Sequence, residues 1–408
     1  MYIALRLIAS STHAGAVTPD STEYLDGFTL RARPPVLPFV YAVLGENVHR
    51  ITIAQGVIGA VCWLVLAATA RRLVESGGAK TAMFITVLVV GACDTVARWD
   101  SALLSESLSI SLGVLVLACL IRVIGGADRR WVIGLCAAAA AWAFTREMNA
   151  AFVVFGALVW VVWPHRRSGM RELAVGLAVP AILALALVAS NSARTAPSLY
   201  DVVGVRVLAD EGMTRYFESH GMPKSVERLR GRYSDPYDPK DPFRTAADLE
   251  GFRRWASKHG RITLVRYIVT HPRWSIGKPL RSPDMLGGPL TNPPLTSYGG
   301  SGYLSPLPAE LQRLVFQQNN AALWVEVLAI AGVLAIGWRR GDPQTWVLPA
   351  MIAALGVPHA LLAWHGDTLE VGRHGVAAVV QLRVGLAMVA VIAASRIRQE
   401  KFGREGGI

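Results

Sequence analysis

Apolar runs of about twenty residues recur along this chain, the length a helix needs to cross the hydrocarbon of a bilayer. They cover 51–70, 81–97, 102–124, 131–144, 148–163, 172–190, 321–338, 346–364 and 376–394, with a shorter apolar stretch at 1–9 ahead of them. Hydrocarbon offers no hydrogen-bond partner, so each run must satisfy its backbone internally, as a helix does. Charged residues make up 17% of the chain, against about a quarter in soluble domains. The pattern predicts an all-α polytopic membrane protein with about 10 transmembrane helices. The stretch 1–9 counts as the first of these, either as a first helix truncated by a misassigned start or as a short helix extended through Ser10, Ser11 and Thr12, and it lacks a secretory cleavage pattern.

Orientation follows from the basic residues. Arg71-Arg72, Arg129-Arg130, Arg166-Arg167, Arg339-Arg340 and the tail residues Arg396, Arg398, Lys401 and Arg404 all fall on one side of the predicted spans. Positive loops mark the cytoplasmic side. The loop 10–50, the turns 98–101 and 145–149, the segment 191–320 and the loop 365–374 then lie outside. The chain is expected to be a multi-pass plasma-membrane protein with its chemistry on the extracytoplasmic face.

Four parts are expected. Residues 1–190 form an N-terminal transmembrane module with a first outer loop at 10–50, and 321–395 form a second transmembrane module. Residues 396–408 form a basic cytoplasmic tail, and 191–320 form a mostly helical extracytoplasmic subdomain. Turn signals at 235–239 and amphipathic runs at 248–267 argue against a plain linker, and Trp255, Tyr267 and Trp274 supply apolar anchors. The stretch 287–302, rich in Gly, Pro and Ser, reads as a flexible loop. Net charge is +12, but the basic residues are scattered between spans and form no stripe, which argues against nucleic acid as a partner. Cys62, Cys93, Cys119 and Cys136 sit in or beside apolar runs without CxxC or Cys/His spacing, so they read as buried free thiols.

Several outer-face residues have two readings. Asp20 either caps a helix starting near Thr22, with Glu23 near the third position, or offers a carboxylate at the membrane rim. Arg31, Arg33, Arg146 and Arg373 either anchor helix ends by snorkelling or present planar forks suited to phosphate oxygens. Glu106 either bonds within a face of serines, Ser101, Ser105 and Ser109, or is functional, as acidic residues in spans commonly are. Asp94 and Asp100 either pair with Arg98 or belong to the same constellation. Glu370 and Arg373 have the spacing of a local ion pair, with His374 beside them as a second polar contact. No HxxxH or DxD spacing appears, so no cofactor is expected; gathered carboxylates leave a divalent metal conceivable without a ligand motif to support it.

These stretches, in order, resemble the polytopic glycosyltransferases of the GT-C type. Pro19-Asp20-Ser21 with Glu23 and Tyr24 is similar to the acidic motif of the family's first outer loop. Arg33-Pro34-Pro35-Val36-Leu37-Pro38-Phe39 resembles the proline-containing run after it, and Gln55 opens the next span. The segment 100–108, with Glu106, looks like the acidic segment heading a later span, and 145–149 is similar to the Arg-containing turn. The segment 366–374, with Asp367, Glu370, Arg373 and His374, resembles the late outer loop; 191–320 matches in position alone. The resemblance implies a mannosyltransferase-like hexosyl- or pentosyltransferase with a polyprenyl-phosphate sugar as donor and an extracytoplasmic acceptor, working among membrane lipids. It implies Asp20 as general base, Arg33, Arg146, Arg373 and His374 as donor-phosphate ligands, and Glu23, Tyr24, Glu106, Asp367 and Glu370 as supporting residues.

Two other functions compete. A transporter or flippase for a polyprenyl-linked or anionic precursor predicts charges near the bilayer midplane and internal repetition. A non-catalytic envelope scaffold predicts that Asp20 and the arginines lie apart.

Overall fold

The computed structural model describes residues 1–11, 17–25, 34–45, 47–126, 128–162, 170–189, 192–235, 238–281, 305–316, 343–366, 368 and 371–405, with isolated residues between 325 and 335. Among the described residues every regular element is helical.

The first membrane layer forms around α4 (Val48–Ala70), where Asn47 accepts from the Arg50 amide and so satisfies one free donor of the first turn. Trp63, Leu66 and Ala67 of α4 are fully buried. Around α4 pack α1 (Tyr2–Ser11), α5 (Gly77–Ala92) and α7 (Ser105–Ile124). Between α1 and α4 lie α2 (Pro19–Leu25) and α3 (Val36–Leu44). After α5 the chain breaks at Cys93 into the short α6 (Asp94–Ala97) and a 3₁₀ turn, Arg98–Ser101. The two halves of this bent pair meet at 56°. The break brings Asp100 and the start of α7 to one end of the layer.

Helices α8 (Arg129–Ala143), α9 (Glu147–Val162) and α10 (Met170–Ala189) form a second group beside α7. The closing pair is α18 (Pro343–Gly366) and α19 (Val371–Glu405), and α19 also packs on α5 and α7. Between the groups come α11 (Ser192–Asp201), α12 (Glu211–Ser219), α13 (Pro242–Thr245), α14 (Glu250–Trp255), α15 (Arg261–Thr270), α16 (Pro272–Arg281) and α17 (Ala309–Val315). The stretch from α11 to α15 has a core of its own, in which Phe217, Phe243 and Phe252 are fully buried.

Four helices are long and apolar enough to cross a bilayer, or five if the bent pair makes one span. Two shorter apolar helices, Glu147–Leu158 and Leu173–Leu187, stand beside them. The structure therefore has the all-helical, polytopic character expected, with fewer full-length spans than ten among the described residues. Physical causes are visible in the chain. The expected third span is interrupted at Cys93, and the fifth is held to the 15 residues of α8. Most of the expected eighth, 321–338, and the loop 287–302 lie outside the described residues.

Helices α18 and α19 touch through glycine. A Cβ on Gly385 would lie 2.5 Å from the Ala353 nitrogen, and one on Gly356 would lie 2.9 Å from the Ala378 carbonyl oxygen. Close backbone approach of this kind is how membrane helices gain packing without a hydrophobic drive. Gly385→Ala is expected to destabilise by about 1–3 kcal/mol through overpacking. Gly156→Ala, whose Cβ meets nothing within 4 Å, is expected to be neutral or better. Thermal unfolding of the two purified variants checks this; equal midpoints would remove the close contact from the account.

Candidate active site

The site is assembled at one end of α2, α7, α9 and α19, opposite the end of α4 that carries Arg71 and Arg72. Its centre is Glu106, in the first turn of α7, with 1% of its surface exposed. A carboxylate in that position is far too costly to leave bare. Two guanidinium groups meet it. Arg146 donates from Nη1 to Oε1 at 3.1 Å, and Arg373 brings Nε to within 3.0 Å of the same oxygen. Arg373 then donates from Nη2 to Oδ2 of Asp20 at 2.9 Å. The same nitrogen lies 3.2 Å from His374 Nε2. A guanidinium has only protons to offer, so the imidazole accepts there.

Each member is placed by local structure. Thr145 Oγ1 donates to the Trp142 carbonyl, and Asn149 Nδ2 donates to both Thr145 Oγ1 and Ser109 Oγ. These bonds fix the turn between α8 and α9 and aim Arg146 at α7. Arg373 and His374 lie in the first turn of α19. Asp20 sits in the first turn of α2, with Pro19 as first helical residue and Thr18 ahead of it. Proline suits that position because its missing N–H would have no helical partner there. Thr18 and Ser21 close the start, with the Thr18 amide donating to Ser21 Oγ at 2.8 Å. Ser21 in turn donates to the Leu103 carbonyl, which ties α2 to the loop before α7.

Three sequence expectations need correction. The helix begins before Asp20, so Asp20 is not its cap and its side chain reaches Arg373 instead. Glu106 takes arginine partners, while Ser109 serves Asn149, so a face of serines bonding to Glu106 is not what forms. Asp94 lies 3.9 Å from Arg98 as one reading expected, but Asp100 is bound elsewhere. Its Oδ2 accepts from Arg6 Nε at 3.0 Å and its Oδ1 from Ser107 at 2.7 Å.

The remaining predicted residues divide. Tyr24 is buried and packs edge-on against Tyr41, at 6.2 Å between ring centroids. Glu23 is half-buried beside it on α2. Arg33, Asp367 and Glu370 lie outside the described residues. Among the described residues no three His, Cys, Asp or Glu side chains are close enough together to hold a metal ion.

Beneath the cluster is a layer that sequence reasoning missed. Arg6, fully buried on α1, holds Asp100 and also donates to the Gly91 carbonyl at 2.8 Å. Gln55 donates to the carbonyls of both Asp100 and Ala102 and accepts from Tyr41. The layer fixes the turn that leads into Glu106. The available signal was a lone arginine within an apolar helix, which is costly in a membrane unless paired.

Residues 33–193 match the family model described as dolichyl-phosphate-mannose-protein mannosyltransferase. Over that stretch, 161 of the 408 residues, the chain is similar to the GT-C-type membrane glycosyltransferases. The matched residues include Glu106 and Arg146, whereas Asp20, Arg373 and His374 lie on either side of them. No curated protein matches the chain, and no solved structure does.

The cluster makes a stability difference testable. Glu106→Gln leaves two buried guanidiniums without their shared carboxylate, a type of loss that costs about 3–5 kcal/mol. Asp20 has 19% of its side chain exposed, so solvent replaces part of what Asp20→Asn removes. Glu106→Gln is expected to lower the thermal midpoint of the purified protein clearly more than Asp20→Asn does. The reverse order would show that Glu106 is not the centre of the cluster.

Proposed function

We propose that this protein is a membrane glycosyltransferase that moves a sugar from a polyprenyl-phosphate donor to an acceptor hydroxyl on the extracytoplasmic face. The observation that carries the reading is the ion-paired series Asp20–Arg373–Glu106–Arg146, drawn from segments as much as 353 positions apart. A scaffold reading predicts those residues apart. A transporter reading predicts its central charges deeper in the bilayer.

In the proposed reaction the acceptor oxygen forms a bond to the anomeric carbon as the bond from that carbon to the phosphate oxygen breaks. The polyprenyl phosphate leaves with the electron pair. It is a stable anion, so the leaving side needs little acid help. The attacking hydroxyl must lose its proton, and a carboxylate is a suitable acceptor for it. Asp20 suits that role better than Glu106, because 19% of its side chain is open against 1% for Glu106. Arg146 and Arg373 supply the planar donors for the phosphate, with His374 beside them. A phosphate reaching Arg373 competes with Asp20 for the same guanidinium. Donor binding would thereby loosen the Asp20 ion pair and raise the basicity of its carboxylate just before the acceptor proton must move. Arg33, Asp367 and Glu370 remain proposed members of the same outer loops.

The proposal includes ten spans, both termini in the cytoplasm and the subdomain at 191–320 outside, over a first module at 1–190 and a second at 321–395. Lys240→Cys is expected to react with an impermeant thiol reagent from the outer side. Labelling from the cytoplasmic side alone would reverse the orientation.

The chemical test is transfer from radiolabelled polyprenyl-phosphate sugars in membranes. Asp20→Asn is expected to lower the rate by about a hundred- to ten-thousandfold, the usual range for a general base. Donor binding and folding should survive, since the change removes charge and keeps size. Retention of more than about half the wild-type rate would end the base assignment.

A further inference from the structure

The stretch 251–281 contains eight Lys and Arg residues and no Asp or Glu. Two of the eight are used within the subdomain. Arg253 donates to the Ala246 carbonyl, and Arg254 lies 3.8 Å from Glu250. Lys258, Arg266, Arg273, Lys278 and Arg281 are exposed, and none has an ion-pair partner among the described residues. The same surface shows large aliphatic side chains to solvent. Val269 is 72% exposed, Val265 53%, and Ile262 and Ile276 49% each.

On α15 these features are ordered. Val265 and Val269 stand four residues apart, with Ile262 on the same side, so they form one stripe along the helix. Arg261 lies at one border of the stripe and Arg266 at the other. Thr263 and Tyr267, on the opposite side, are buried in the subdomain. A solvent-facing apolar stripe bordered by arginines is the arrangement of a helix lying in a membrane interface, with stems in the apolar layer and charges among headgroups.

The position of the arm agrees. α16 follows α15 and packs on the last turn of the membrane helix α18. His365 Nε2 meets the Ser275 carbonyl at 2.8 Å, and the Trp274 and Trp364 rings meet edge to face at 5.7 Å. Arg206 lies over the Trp364 ring at 3.7 Å and donates to the Trp364 carbonyl. Tryptophan pairs at span ends mark the membrane interface. The arm is thus tied to the end of an apolar helix.

We infer that the exposed face of α15 and α16 docks on the phosphate-rich surface of an anionic phospholipid bilayer. The occupant is lipid, since a soluble acidic polymer would account for the cations but not for the aliphatic stripe between them. The docking would hold the subdomain flat against the membrane beside the site.

The test uses the full chain in lipid nanodiscs, in a Cys136→Ala background because the other three thiols are buried. Val265→Cys, Val269→Cys and, as an exposed control outside α15 and α16, Tyr233→Cys each carry an environment-sensitive fluorophore. Phospholipids brominated on the acyl chains are expected to quench the probes at 265 and 269 at least about twofold more than the probe at 233. That excess should grow with the share of phosphatidylglycerol and shrink in the Arg266→Gln, Arg273→Gln, Lys278→Gln triple variant. Equal quenching at all three positions would overturn the inference. So would quenching indifferent to phosphatidylglycerol, or a response to soluble polyglutamate in place of lipid.

Discussion

Glu106 is the group around which one end of the molecule is arranged. Burying a carboxylate at the head of a membrane helix is tolerable only if cations come to it, and two do. Arg146 arrives from the turn before α9, and Arg373 from the start of α19. Because Arg373 has donors to spare, it reaches on to Asp20 and fixes α2 as well. A single desolvated charge therefore joins four otherwise separate parts of the chain. The apolar faces of these helices allow many relative rotations, and the ion pairs choose one of them.

A second buried pair, Arg6 with Asp100, supports the first from below. It has no exposure to a substrate, and its effect is geometric. Arg6, Ser107 and Gln55 together satisfy both carboxylate oxygens and two backbone carbonyls of the 98–102 turn. Asp100 and Glu106 thereby divide the work. The deeper carboxylate sets the turn, and the shallower one gathers the arginines.

Much of this was legible from the sequence, for identifiable reasons. Apolar run length reports on helices because the solvent is hydrocarbon, so the fold class follows directly. Charges at outer span ends are few, so Asp20, Glu106, Arg146 and Arg373 stood out before any contact was known. Less legible was what pairs with what. Local spacing favoured Arg98 as the partner of Asp100, but the partner is 94 positions away on α1. A lone arginine in an apolar helix reads equally well as a snorkelling anchor. The start of α2 was misplaced because Pro19 serves as its first residue, which shifted Asp20 from cap to interior. Span counting was blurred at Cys93, where hydrophobicity continues across a bend that composition does not register.

The order of these residues along the chain has a consequence for biosynthesis. Asp20, Glu106 and Arg146 leave the ribosome before Arg373, which arrives with α19. Until that helix inserts, Asp20 lacks the arginine that bridges it to Glu106, and the nascent protein holds a half-built polar cleft within its apolar helices. Insertion of α19 is thus the step that closes the cleft, and the earlier helices can settle into their final rotations only after it.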